Sequence, residues 1–225
     1  MTRLVLFDID GTLISTGGAG MTAFERTFAL EFGVRNAARE INFAGRTDTG
    51  ILQDFFRNHA VEPSEENFQR FFHTYVHWLD YQLQTVSGRI LPGVINLLRE
   101  LKCLARRPAL GLLTGNLRLG AQIKLRHFNL WDHFEIGAFG CEHSDRNEIA
   151  KIALKRGRKS IHRRMKGEEI LVIGDTTRDI DCANAIGARC LAVATGGDSL
   201  AELRRHNPTR AVRDLARVTA EEICA

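Results

Sequence analysis

Five short apolar runs constrain this chain more than any other feature: LVLF (4–7), ALGLLT (109–114), IGAFG (136–140), ILVIG (170–174) and CLAVAT (190–195). Each is apolar at consecutive rather than alternate positions, as a strand buried on both faces requires. Around and between the last four lie helical stretches near 93–105, 116–127, 146–156 and 177–186. Strands of this kind alternating with helices predict an α/β fold, a Rossmann-like parallel sheet with helices on both sides. A chain of 225 residues that is 44% hydrophobic can bury one such core and still carry a small appended domain.

The long gap between the first and second runs is where that appendage fits. Nine of the thirteen Phe, both Tyr and one of the two Trp fall between Ser15 and Pro92. Phe24 and Phe28, Leu52 and Phe56, and Phe68, Phe72, Tyr75 and Leu79 recur every three or four residues, the spacing of amphipathic helices. Ser64 followed by Glu65 and Glu66 reads as a helix N-cap with acidic residues in the first turn. Residues 15–91 are therefore expected to form an all-helical domain inserted into a core made of 1–14 and 92–225. The stretch STGGAG (15–20) would be the hinge between them.

The first run stops on two carboxylates, Asp8 and Asp10, followed by Gly11 and Thr12. Like charges so close repel unless a cation or a shared proton separates them. Ligands of open parallel sheets bind beyond the carboxyl ends of the strands. The residues to read there are Asp8, Asp10, Gly11 and Thr12 after the first run, Thr114, Gly115 and Asn116 after the second, and Asp175, Thr176 and Asp179 after the fourth. Several carboxylates on one rim suit Mg²⁺, a hard cation that takes one or two of them together with a phosphate oxygen. A phosphoryl group would then fit against the Thr114 hydroxyl and the N–H groups of helix starts.

The pieces DIDGT (8–12), LLTGN (112–116) and GDTTRD (174–179), in this order, resemble the haloacid dehalogenase superfamily of phosphotransferases, and the layout is most similar to its phosphoglycolate phosphatase branch. The resemblance covers nearly the whole chain and gives 15–91 the place of that family's helical cap. It implies that Asp8 is the nucleophile that becomes an aspartyl phosphate, with its other oxygen on Mg²⁺. It implies further that Asp10 protonates the leaving alcohol, activates water and lends its backbone carbonyl to the metal. Thr114 would hold a phosphoryl oxygen, Asp175 would ligate Mg²⁺, and Asp179 would ligate the metal or orient its shell. Gly11, Thr12, Gly115 and Asn116 would bind substrate beside them. Arg46, in AGRTD (44–48), would contact an anionic leaving group such as a carboxylate.

One element departs from that pattern. The family usually has a Lys at a helix start between the LLTGN and GDTTRD pieces, whereas this chain has Asp145 then Arg146 there, with Lys151 only later. With Asp145 as N-cap, Arg146 stands at the helix mouth and is assigned the charge-neutralising role. Residues 15–92 contain no Lys, which argues against the Schiff-base chemistry of the phosphonatase branch and against the β-phosphoglucomutase branch. Asp10 argues against dehalogenation. The expected substrate is a small phosphorylated metabolite. The alternatives are a nucleotidase or mutase of the same superfamily, or a non-catalytic scaffold or nucleic-acid-binding module on the same fold.

Bulk properties add little. A formal charge of +4 is too small to imply nucleic acid, and the basic run KRGRKSIHRRMK (155–166) lacks interleaved aromatics for stacking, so it reads as a solvated helix end. Cys103, Cys141, Cys182, Cys190 and Cys224 are widely spaced, contain no C-x-x-C pair and read as free thiols. No apolar run is long enough to span a bilayer, and Asp8 breaks the N-terminal stretch too early for a signal peptide, so a cytoplasmic protein is expected. Oligomeric state is left open.

Overall fold

The computed structural model describes residues 1–37 and 41–225. Six parallel strands form the main sheet: β1 (Leu4–Phe7), β4 (Ala109–Leu113), β5 (Ile136–Ala138), β6 (Ile170–Gly174), β7 (Arg189–Val193) and β8 (Arg210–Val212), in the spatial order β5-β4-β1-β6-β7-β8. β1 is central, with Phe7 in register with Leu112 of β4 on one side and Ile173 of β6 on the other. The chain leaves β1 to build one half of the sheet and returns to build the other. The crevice where such an order reverses lies at the carboxyl ends of β4, β1 and β6.

The apolar runs earn their double-sided burial residue by residue. Leu4 and Leu6 point into a cluster with Ile149, Ala150 and Ala153 of α6 (Arg146–Ser160) and Ile180 of α7 (Thr177–Ala185). Val5 and Phe7 point the other way, onto Leu97, Leu98 and Leu101 of α4 (Val94–Cys103) and Ala121 and Leu125 of α5 (Arg118–His127). The period-2 alternation of a strand thus feeds two cores at once.

The sheet has one strand more than the five runs predict. β8 is three residues long, carries an exposed Arg210 and pairs only with β7, so it has neither the length nor the apolarity of an interior strand. Two short helices near the C-terminus, α8 (Leu200–Arg205) and α9 (Ala220–Cys224), also lie outside the predicted set.

Between β2 (Ile14–Ser15) and β3 (Arg89–Ile90), which pair antiparallel, the described chain is helical: α1 (Ala19–Phe32), α2 (Asp48–Asn58) and α3 (Glu65–Thr85). Ser64 caps α3 as expected, accepting from Asn67 N–H, and Thr47 caps α2, accepting from Gly50 N–H. Their aromatics form a third core, in which Phe28 and Phe55 stack at 3.7 Å and Phe24 meets Phe71 and Tyr75 edge-on or tilted. Geometry of this kind contributes about 0.5–1.5 kcal/mol per pair beyond area burial. Leu117, from the loop after β4, belongs to the same cluster, so the helical segment rests on the sheet's crevice. Among the described residues no helix is long and apolar enough to cross a membrane.

Candidate active site

Asp8, one residue past β1, lies at the floor of a cavity of about 270 Å³ whose lining also includes Asp10, Thr114, Asn116, Arg146 and Asp175. Asp8 Oδ2 is 3.1 Å from Arg146 Nη2, and the Ile9 N–H and the Thr114 hydroxyl lie beside its carboxylate and favour its charged form. Burial pushes its pKa up to about 6; the Arg146 charge opposes that rise and the Asp179 charge adds to it.

Asp175 follows β6. Its Oδ1 accepts from Thr12 Oγ1 at 3.1 Å and its Oδ2 from Gly197 N–H at 2.6 Å. This close seat depends on missing side chains. A Cβ on Gly11, whose φ is +79°, would stand 2.3 Å from Asp175 Oδ2, and one on Gly196 would stand 2.0 Å from it. Burial, then the charges of Asp179 and Asp8, hold the Asp175 carboxyl well above the usual range.

Asp8, Asp175 and Asp179 each bring a carboxylate oxygen within 4.8 Å of the others. Three buried oxygen donors this close together are a donor set that fits a hard divalent cation. Asp179, however, already has both oxygens engaged: Oδ1 by Arg146, Oδ2 by Thr176 N–H at 3.0 Å and Thr176 Oγ1 at 2.8 Å. Both oxygens of Asp175 are engaged as well, but Asp8 and Asp175 line the cavity and Asp179 does not. A cation in the cavity would meet that pair, while Asp179 orients Arg146 and caps α7.

Arg146 stands where the helix-mouth reading puts it. Asp145 accepts from Asn147 N–H as N-cap of α6, and the first residue of that helix, Arg146, is 7% exposed. Burial works against its charge, but Asp179 and Asp8 outweigh burial and hold the guanidinium protonated well beyond its ordinary range. Its Nε is buried without a partner among the described residues. Lys151 points to solvent and pairs with Glu148 at 2.6 Å.

Three of the residues expected to contact substrate have protein partners of their own. Thr12 is fully buried under Asp175 and is absent from the cavity wall, so its hydroxyl holds a carboxylate rather than a ligand. Arg46 lines the cavity, but its guanidinium is bonded to Asp54 and, at 3.1 Å, to the Gly50 carbonyl of its own segment. Gly115 lines the cavity too, with its carbonyl accepting from Asp48 N–H at 2.8 Å. Gly11 and Asn116 stay on the wall as expected, with Asn116 Nδ2 donating to Asp10 Oδ2 at 2.8 Å and to Thr114 Oγ1 at 2.9 Å.

Two buried charged residues in the wall, Lys124 and Asp48, were not expected. Lys124 of α5 reaches Asp10 Oδ2 and Asn116 Oδ1, both at 2.6 Å. Its only sequence signal is a Lys on the apolar stripe of Gly120, Ala121 and Leu125. Asp48, at the start of α2, accepts from Leu117 N–H at 2.8 Å, while Thr47 and Thr49 donate to the carbonyls of Ser144 (2.8 Å) and Gly140 (2.7 Å). The start of α2 is thereby fastened to the loops after β4 and β5. An acidic residue in a first turn reads as a dipole partner, which hides the tertiary bond that Asp48 makes.

Burial raises the Asp48 pKa to about 6, against the opposing pull of Lys124 and the Leu117 N–H. A carboxyl whose pKa is higher folded than unfolded favours the folded state while protonated. That advantage is lost as pH rises from the unfolded value of 3.8 through about 6. The ionised carboxylate then costs on the order of 3 kcal/mol. Asp48→Asn keeps an acceptor for Leu117 without the charge. Its stability relative to wild type in urea unfolding is expected to improve between pH 5 and pH 7.5. A difference that stays constant across that range would remove Asp48 from the pH dependence.

A family model described as haloacid dehalogenase-like hydrolase matches residues 5–193. Among curated proteins the chain is 27% identical over 217 residues to "Probable phosphatase IndB" of Dickeya dadantii, covering 92% of this chain and 88% of that protein. It is also 27% identical over 220 residues to a 5'-nucleotidase of Pseudomonas aeruginosa, covering 94% and 91%. Among solved structures it superposes on CbbY from Rhodobacter sphaeroides in complex with phosphate with a TM-score of 0.74 at 20% identity, over 96% of each chain, a likeness of fold.

Proposed function

The chain belongs to the haloacid dehalogenase-like hydrolase family, and from that premise we infer that it is a Mg²⁺-dependent phosphatase of a small phosphomonoester, with Asp8 as nucleophile. One observation carries the reading. Asp8 sits at the end of β1 in contact with Arg146 and Thr114, close to Asp175, all in the wall of one cavity.

In this reading Asp8 attacks phosphorus as the bond to the leaving oxygen breaks, and Asp10 gives that oxygen its proton. Asp10 then takes a proton from water, the water attacks the phosphorus of the aspartyl phosphate, and Asp8 and inorganic phosphate are released. Thr114 and Arg146 hold the phosphoryl oxygens, and Asp179 holds Arg146. Asp8, Asp175 and the Asp10 backbone carbonyl would hold Mg²⁺, which when bound offsets the charge of the phosphoryl oxygens. The helical segment 15–91 acts as the cap, its α2 start closing the crevice and excluding water.

A leaving group with a carboxylate, as in 2-phosphoglycolate, suits a cavity whose wall includes a buried ammonium, Lys124. The aromatic roof of Phe24, Phe43 and Tyr75 supports a second reading, a nucleoside 5'-monophosphate, in line with the nucleotidase relative. Phosphate release from 2-phosphoglycolate, nucleoside 5'-monophosphates and sugar phosphates, each with Mg²⁺, separates the two. The expected result is the highest kcat/KM on a small anionic leaving group. The highest value on a nucleotide would replace it with the second reading, and no release from any phosphomonoester would remove both.

A further inference from the structure

Three cations line the cavity, each with protein partners. Arg46 is bonded within its own segment, to Asp54 and Gly50, and Arg146 is shared between Asp8 and Asp179. Lys124 is different. It is 4% exposed, and its ammonium bonds Asp10 Oδ2 and Asn116 Oδ1 at 2.6 Å each. An ammonium carries three donors, and no third acceptor bonds this one among the described residues. Gly20, in the first turn of α1 and itself part of the cavity wall, lies beside it: a Cβ there would come into ordinary contact with Lys124 Nζ, at 3.5 Å.

The position relative to the reaction is informative. Arg146 stands against Asp8, where phosphorus is attacked, whereas Lys124 stands against Asp10, the carboxylate assigned to the leaving oxygen. The Asp10 side chain is 41% exposed, held at Oδ2 by Lys124 and Asn116 with no bond to Oδ1 among the described residues, while the Lys124 side chain is buried in the wall. When Asp10 turns to the leaving group, the ammonium loses its direct ion pair and keeps Asn116 Oδ1 and the nearby charge of Asp48; removing one partner of a buried pair is costly. A substrate that brings its own anion to that spot restores the pair; a neutral one does not.

Resting on the phosphatase reading above, we propose that Lys124 is a specificity-determining residue that binds an anionic group of the leaving alcohol, a carboxylate or a second phosphate close to the leaving oxygen. The cation that selects the substrate thus comes from core helix α5 rather than from Arg46 of the helical insertion, and it discriminates by charge rather than by size.

The test compares substrates of matched size. Wild-type kcat/KM is measured on 2-phosphoglycolate and its neutral counterpart 2-phosphoglycolamide, and on propane-1,3-diol bisphosphate and monophosphate, the two pairs distinguishing a carboxylate from a phosphate. Wild type is expected to favour the anionic member of at least one pair by tenfold or more. Lys124→Met is expected to bring that ratio close to one, chiefly by raising KM for the anionic member. Lys124→Gln, which keeps donors to Asp10, is expected to do the same, and Lys124→Arg to retain part of the preference.

Equal losses on both members in the Met and Gln variants would make Lys124 a structural partner of Asp10 and overturn the proposal. Loss of preference in Arg46→Ala with none in Lys124→Gln would overturn it in favour of Arg46. Wild-type turnover of both members with no preference overturns this inference while leaving the phosphatase reading intact. Absence of turnover on every phosphomonoester overturns both.

Discussion

Asp8→Asn is expected to lower phosphate release by at least about 10⁴-fold, since losing a nucleophile removes the step that every later one depends on. The variant should remain folded. Asp8 is 6% exposed with a pKa raised to about 6, so its charge is held in the native state against burial, and an amide of the same shape relieves that cost. Arg146 keeps Asp179 as a partner. A melting temperature at or above that of wild type with activity at background is the expected pair of results. Activity above about 1% of wild type in rigorously purified Asp8→Asn would move the nucleophile elsewhere, because a turnover that survives at that level needs another attacking group.

Arg146→Ala is expected to cost about 10²–10³-fold in kcat, the range found when a fixed charge is taken from a developing oxyanion. The attacking carboxylate and the phosphoryl group are both anionic, and the guanidinium at 3.1 Å from Asp8 lowers the cost of bringing them together. Alanine also strands two buried carboxylates, which costs about 3–5 kcal/mol when one partner of a buried pair is removed. Activity is therefore compared per folded molecule, with Arg146→Gln as a variant that keeps donors but not charge. Arg146→Lys should fall between alanine and wild type, since an ammonium replaces the charge but on a shorter side chain than the one whose Nη2 meets both Asp8 and Asp179. Lys151→Ala, more than half exposed and paired only with Glu148, should stay within about twofold of wild type, as surface changes do. An inactive Lys151→Ala beside a near-normal Arg146→Ala would show that the cation is misplaced.

What the sequence made legible follows from how far each signal reaches along the chain. β1, β4, β6 and β7 are visible because each is apolar on consecutive positions, and their polar ends then name Asp8, Thr114 and Asp175 through a rule about where ligands bind in parallel sheets. Arg146 is visible because Asp145 marks a helix start. The rest depends on side-chain direction, which no run of letters records. Arg46 was expected at the leaving group and lines the cavity, with its Nη2 bonded to Asp54 and to the Gly50 carbonyl, partners that the sequence does not name. Thr12 follows the carboxylate motif but faces Asp175. Lys124 and Asp48 matter through partners 114 and 69 residues away, Asp10 and Leu117, and nothing local distinguishes them from a helix-face lysine and a first-turn aspartate.

The central claim is that this cavity performs metal-assisted phosphoryl transfer, and one measurement addresses it without knowledge of the physiological substrate. The initial rate of p-nitrophenyl phosphate hydrolysis by the wild-type protein is followed with saturating Mg²⁺, after exhaustive chelation with EDTA, and after Mg²⁺ is restored. The account predicts turnover with Mg²⁺, loss to background on chelation and full recovery on readdition. An unchanged rate after chelation would contradict it.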